Sequence, residues 1–130
     1  MAKQFKAGVQ EGQTQEWWNN GQMKSITTYM DGKAHGEAKG WHDNGKLARI
    51  IIFEKGIPVG KSEGWWENGA HAEVINYVNG KPDCYSIKWH KNSKTNRITF
   101  NRNGFRQGTE TTWYQTGRKK MQLNFVNGKP

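Results

Sequence analysis

The sequence predicts an all-β protein: a single-layer antiparallel meander of β-hairpin repeats with a 24-residue period, about 11 strands, twisted and curved. Three observations carry this. Tryptophan falls at 17, 41, 65, 89 and 113, a step of 24 each time. All sixteen glycines fall in columns set by that step. No stretch shows a helical apolar period or the strand–helix alternation of a parallel sheet.

The elements follow in order. Residues 1–16 are a partial repeat, and full repeats begin near Trp17, Trp41, Trp65, Trp89 and Trp113. Each repeat opens on its tryptophan and a second ring: Trp18, His42, Trp66, His90, Tyr114. A turn dipeptide comes next: Asn20-Gly21, Asn44-Gly45, Asn68-Gly69, Asn92-Ser93, Thr116-Gly117. A mid-repeat ring follows at Tyr29, Phe53, Tyr77 and Phe125, with Phe5 before them and Asn101 in the fourth repeat's place. A second turn glycine is kept throughout, at 8, 32, 56, 80, 104 and 128. Four residues on stand Gly12, Gly36, Gly60, Cys84 and Gly108. Asn-Gly and Asp-Gly between alternating runs are the strongest short-range hairpin signal, so each repeat reads as two strands of about 6–8 residues.

Turns also set register. With Asn44-Gly45 as the central pair of a two-residue type I′ turn, His42 faces Leu47 and Gly36 faces Phe53. The same rule pairs Gly12 with Tyr29, Gly60 with Tyr77 and Gly108 with Phe125. A missing Cβ lets the opposing ring lie over the backbone. In the fourth repeat both partners change together, to Cys84 and Asn101. Alternation then puts the Trp column with Ile26, Ile50, Val74 and Ile98 on one face. The second rings, Ile51, Ile75, Leu123 and the mid-repeat rings take the other.

Composition narrows the function. One cysteine in 130 residues excludes a disulfide scaffold and a Cys-rich zinc site. No apolar run reaches the roughly 20 residues that span a bilayer, and the N-terminus lacks an apolar signal core, so the chain reads as soluble and cytoplasmic. The net charge is +9 and lies mostly in the second half. Between Cys84 and Thr109 there is no acidic residue, while Lys88, Lys91, Lys94, Arg97, Arg102 and Arg106 all fall there. The irregular repeat is thus the basic one, and these six cations with the rings of Trp66 and His90 form the candidate partner-binding set. The competing reading is a solubilising surface on a repeat that has drifted.

No catalytic, metal or cofactor set emerges. Cys84 lacks a placed base and reads as a filler at a glycine position. His42 and His90 lie about four strands apart, too far to share a metal, and read as packing members of the second-ring column. Glu16, Glu67 and Glu110 form no acid–base pair, and the glycines precede strands rather than helix N-termini. The chain reads as non-enzymatic. Basic charge interleaved with rings also fits single-stranded nucleic acid, although the rings recur too regularly to be free for stacking on bases. Unpaired terminal strands allow end-to-end self-association.

The segment Trp65-Trp66-Glu67-Asn68-Gly69 through Tyr77-Val78-Asn79-Gly80-Lys81 resembles the variant MORN (membrane occupation and recognition nexus) repeat. Tyr29-Met30-Asp31-Gly32-Lys33 and Phe125-Val126-Asn127-Gly128-Lys129 repeat its second half. The resemblance implies a single-layer hairpin array and a bacterial setting in which some relatives are antitoxins. It implies docking to a protein, and the basic run adds that this partner has an acidic surface, which reads as the role of an antitoxin, immunity or inhibitor protein. Peripheral binding to anionic lipid is the alternative. The fourth repeat departs from the pattern at Cys84, Ser93 and Asn101.

Overall fold

A computed structural model describes residues 5–6 and 9–130, with side chains from residue 11 onward. The turn expected at Gly8 and the ring of Phe5 lie outside the described residues. The strands are β1 (Phe5–Lys6), β2 (Val9–Gln10), β3 (Gly12–Trp17), β4 (Met23–Met30), β5 (Lys33–Ala34), β6 (Gly36–Trp41), β7 (Leu47–Glu54) and β8 (Ile57–Pro58). They continue as β9 (Gly60–Trp65), β10 (His71–Val78), β11 (Lys81–Trp89), β12 (Thr95–Arg102), β13 (Phe105–Arg106), β14 (Gly108–Trp113) and β15 (Lys119–Phe125). β1 and β2 pair with each other, and the other thirteen form one antiparallel sheet in sequence order. The meander expected from the period is present.

The strand count exceeds the expected 11 because a bulge cuts most repeats in two. Tyr29 pairs with both Gly12 and Ala34, and Gly36 then takes φ +86° before the strand resumes. β5, β8 and β13 are the short pieces before these bulges. In the fourth repeat β11 runs unbroken through Cys84, which holds φ +65° without being glycine.

The mid-strand register matches the expected one: Gly12↔Tyr29, Gly36↔Phe53, Gly60↔Tyr77, Cys84↔Asn101 and Gly108↔Phe125. The turn argument behind it needs correcting. Gly45 N donates to His42 O at 3.0 Å and His42 N donates to Lys46 O at 2.8 Å. Of the turn's residues only Gly45 has positive φ, so this is a three-residue hairpin with its glycine in the left-handed position, not a two-residue type I′ turn. Trp41, not His42, therefore faces Leu47, and Ala48 is then extruded as a bulge that restores the pairing from Gly40↔Arg49 onward. The longer turn and the bulge cancel, which is why the mid-strand pairs come out as expected. The type I′ turns lie at the opposite edge. Asp31-Gly32 carries φ +53° and +78° between paired Met30 and Lys33.

The core is thin. Phe125, at 6% exposure, is the one apolar side chain classed as buried among the described residues. The accessible surface is 8473 Å², above the roughly 7,000 Å² expected of a compact chain of this mass. Stability comes from each repeat stacking on its neighbours. On the Trp face, His71 lies between Trp65 and Trp89 with ring centroids 5.6 Å from each.

Candidate functional site

The opposite face carries the second rings, and the structure fixes them by contacts between repeats. Trp18 Nε1 donates to Trp41 O at 3.1 Å, and Trp66 Nε1 to Trp89 O at 3.1 Å. His42 Nε2 lies 2.8 Å from Trp65 O and His90 Nε2 2.9 Å from Trp113 O. A carbonyl only accepts, so both imidazoles carry their proton on Nε2 toward the neighbouring repeat. These histidines are therefore more than ring fillers: they take the hydrogen-bonding role of the Trp indole. A parallel ladder joins the turns, with Asn20, Asn44, Asn68 and Asn92 Nδ2 donating to Asp43, Glu67, Lys91 and Gln115 carbonyls at 2.7–2.9 Å. With their N–H groups spent on the backbone, the rings present apolar surface in a fixed orientation.

Two features stand on this platform. The first is an open trough of about 490 Å³ lined by Trp18, His42 and Trp66. Gly40 and Gly64 line it too, and neither has the left-handed φ of the turn glycines. A Cβ at Gly64 would meet Glu73 Cγ at 3.4 Å, an ordinary contact, so neither backbone conformation nor space demands glycine there, and its effect is to leave the trough floor bare. Arg49 and Glu73 also line it. Cations sit over the rings, Lys24 Nζ 4.8 Å from the Trp18 centroid and Lys91 Nζ 5.5 Å from Trp66.

The second is a cavity of about 270 Å³ in the fourth repeat, lined by Ser86, Lys88, Arg97, Thr99, Asn101 and Arg106 among others. Asn101 stands where the other described repeats have a ring, and its Nδ2 reaches Ser86 Oγ at 3.4 Å. Lys88 Nζ lies 4.0 Å from Glu73, and Arg106 lies 3.6 Å from Glu110, which is only 5% exposed. Thr99 Oγ1 donates to that same Glu110 carboxylate at 3.0 Å. Among the described residues Arg97 Nε is buried with no hydrogen-bond partner, and so is Thr112 Oγ1, which lies in the neighbouring groove with His90.

The eight residues read from the sequence as one contact set are thus divided. Lys88, Arg97 and Arg106 share the cavity. Lys91 and Lys94 lie at the turn edge, Lys91 bound to Glu67 at 2.6 Å and Lys94 donating to Thr116 O at 3.1 Å. Lys91 holds the Glu67 carboxyl below its ordinary pKa by hydrogen bonding. Trp66 lines the trough, and His90 lines a separate groove with Arg97 and Tyr114. Arg102 follows Asn101 in β12 and so alternates to the Trp face. Sequence reasoning missed Trp18, Arg49 and the Gly40/Gly64 pair. The signal for the glycines was available: they are the two that neither a turn column nor the ring-opposed column explains. It also missed Glu110, whose neutralising role depends on the fold. Among the described residues no three His, Cys, Asp or Glu side chains gather for a metal.

The MORN repeat variant family matches residues 10–31 and 34–55. No curated protein matches the chain.

Proposed function

We propose, from the MORN-variant repeats matched at residues 10–31 and 34–55, a kind of repeat that serves in protein- and membrane-binding modules, that the chain is a non-enzymatic cytoplasmic binding module whose second-ring face receives a protein partner with an acidic surface. The observation that carries this is the pinning of Trp18, His42, Trp66 and His90 to neighbouring backbone carbonyls. Rings held in advance lose little entropy on binding and supply rigid anchors, while cations along the same face steer an acidic partner. The sharpest form of the reading is an antitoxin or inhibitor that covers an effector's acidic surface.

Anionic lipid fits this face less well. Glu67, Glu73 and Glu110 alternate with Lys91, Lys88 and Arg106 at 2.6–4.0 Å, so a layer of phosphates meets carboxylates as well as cations. The test uses the two faces against each other. Arg97→Glu should lose a partner retained from native-host extract, whereas Arg102→Glu, on the Trp face, should keep it. Equal loss in both, or in neither, overturns the assignment of the face. Stronger sedimentation with anionic than with neutral vesicles at physiological salt moves the function to the membrane.

A further inference from the structure

We propose that the fourth-repeat cavity is a carboxylate site, with Arg97 as its principal ligand and an acidic side chain or chain terminus of the partner as its occupant. The proposal rests on the binding reading above for the carrier of the carboxylate, and on the fourth repeat itself for the site.

Elsewhere along this face a ring stands opposite the bulge glycine: Tyr29 over Gly12, Phe53 over Gly36, Tyr77 over Gly60, Phe125 over Gly108. Here Asn101 opposes Cys84, and the ring's place is lined by small polar groups, Ser86, Thr99 and Asn101. Both halves of the ring–glycine pair were given up together. What remains is an open cavity of about 270 Å³ with three cations on its lining.

The charge balance selects the ligand. Lys88 already faces Glu73, and Arg106 already faces Glu110 and lies over the Phe125 ring at 5.4 Å. Among the described residues no carboxylate pairs with Arg97, so the site carries about one positive charge without a counterion. A carboxylate matches that charge. A dianionic phosphate brings a second negative charge close to Glu73 and Glu110. The guanidinium is also a planar fork of donors matched to two carboxylate oxygens. Among the described residues Arg97 Nε has no hydrogen-bond acceptor, so nothing in the fold competes there for the guanidinium.

The test needs no partner protein. ¹⁵N-labelled protein is titrated with sodium acetate, and separately with sodium phosphate, against sodium chloride at matched ionic strength. The expected result is a saturable shift of the Arg97 Nε–H and Thr99 and Asn101 amide signals with acetate, at half-saturation at least fivefold lower than with phosphate. The double variant Cys84→Gly/Asn101→Phe rebuilds the ring-over-glycine pair of the other repeats. It should stay folded, with other repeats' signals unmoved, and lose the acetate response at least tenfold. Arg97→Gln should lose it too, and where that variant does not fold the double variant decides. Three outcomes overturn the site: a linear shift equal to that of chloride, tighter saturation by phosphate, or an undiminished acetate response in the double variant. Loss of acetate binding with partner capture intact sinks this site alone, whereas capture failing while acetate still binds sinks the binding reading alone.

Discussion

The repeats beginning at Trp41 and Trp89 follow one backbone plan and differ in what stands above the bulge. In the first, Phe53 lies opposite Gly36, and glycine takes the left-handed turn at φ +86°. In the second, Asn101 lies opposite Cys84, and an ordinary residue holds φ +65°. The first arrangement is consistent at every level: turn chemistry, pleat and packing agree. The second keeps the backbone and abandons the ring, leaving strain at Cys84 and an unpartnered Arg97 Nε. Such local inconsistency costs stability, and it is where a functional site is expected.

The comparison breaks most severely at the stack that joins the two kinds of repeat. Trp65→Ala removes a ring that touches His71, which in turn touches Trp89. It should cost about 3 kcal/mol in urea denaturation. A loss under about 1 kcal/mol would show that the Trp face does not hold the repeats together.

Next come the turn glycines. Gly80 needs φ +80°, and a Cβ there would lie 2.5 Å from Ile57 Cγ2 of the preceding repeat. Gly80→Ala should cost about 2 kcal/mol, from left-handed backbone and collision together. Gly60, at φ +69°, has open space around its Cβ position, so Gly60→Ala should cost only about 1 kcal/mol. Equal losses would mean that contact between repeats adds nothing at this column.

The sign reverses in the fourth repeat. Cys84→Gly relieves the left-handed strain and should stabilise by about 0.5–1 kcal/mol. A destabilisation would mean that the exposed cysteine makes a contact worth more than the strain.

The smallest effect concerns Glu67, whose carboxyl Lys91 holds below its ordinary pKa of 4.5. A lowered folded-state pKa gives stability that is present above pH 4.5 and fades as the pH falls through the lower folded value. The melting temperatures of wild type and Glu67→Gln should therefore differ at neutral pH and converge below that range. A constant gap from neutral to acid would exclude the ion pair as its source.

Much of the fold was legible because its rules are local. Glycine columns mark where the chain must turn, and a period of two fixes which residues share a face. Tyr29, Phe53, Tyr77 and Phe125 could therefore be placed over their glycines from spacing alone. The Asn44-Gly45 turn was misread because a three-residue turn and a bulge at Ala48 together shift the register by the same amount as a two-residue turn. The chemistry of the fourth repeat was legible only as a run of basic residues.

Sequence alone thus determined the period, the hairpin array and the ring–glycine pairing, since each depends on spacing within one hairpin copied along the chain. The fold decided which charges are free. Glu73 reaches Lys88 across paired strands, Glu67 reaches Lys91 from one turn to the next, Glu110 reaches back past the bulge at Gly108 to Arg106, and alternation sends Arg102 to the other face. Ion pairing depends on distances of about 4 Å, and those are set by how one repeat stacks on the next.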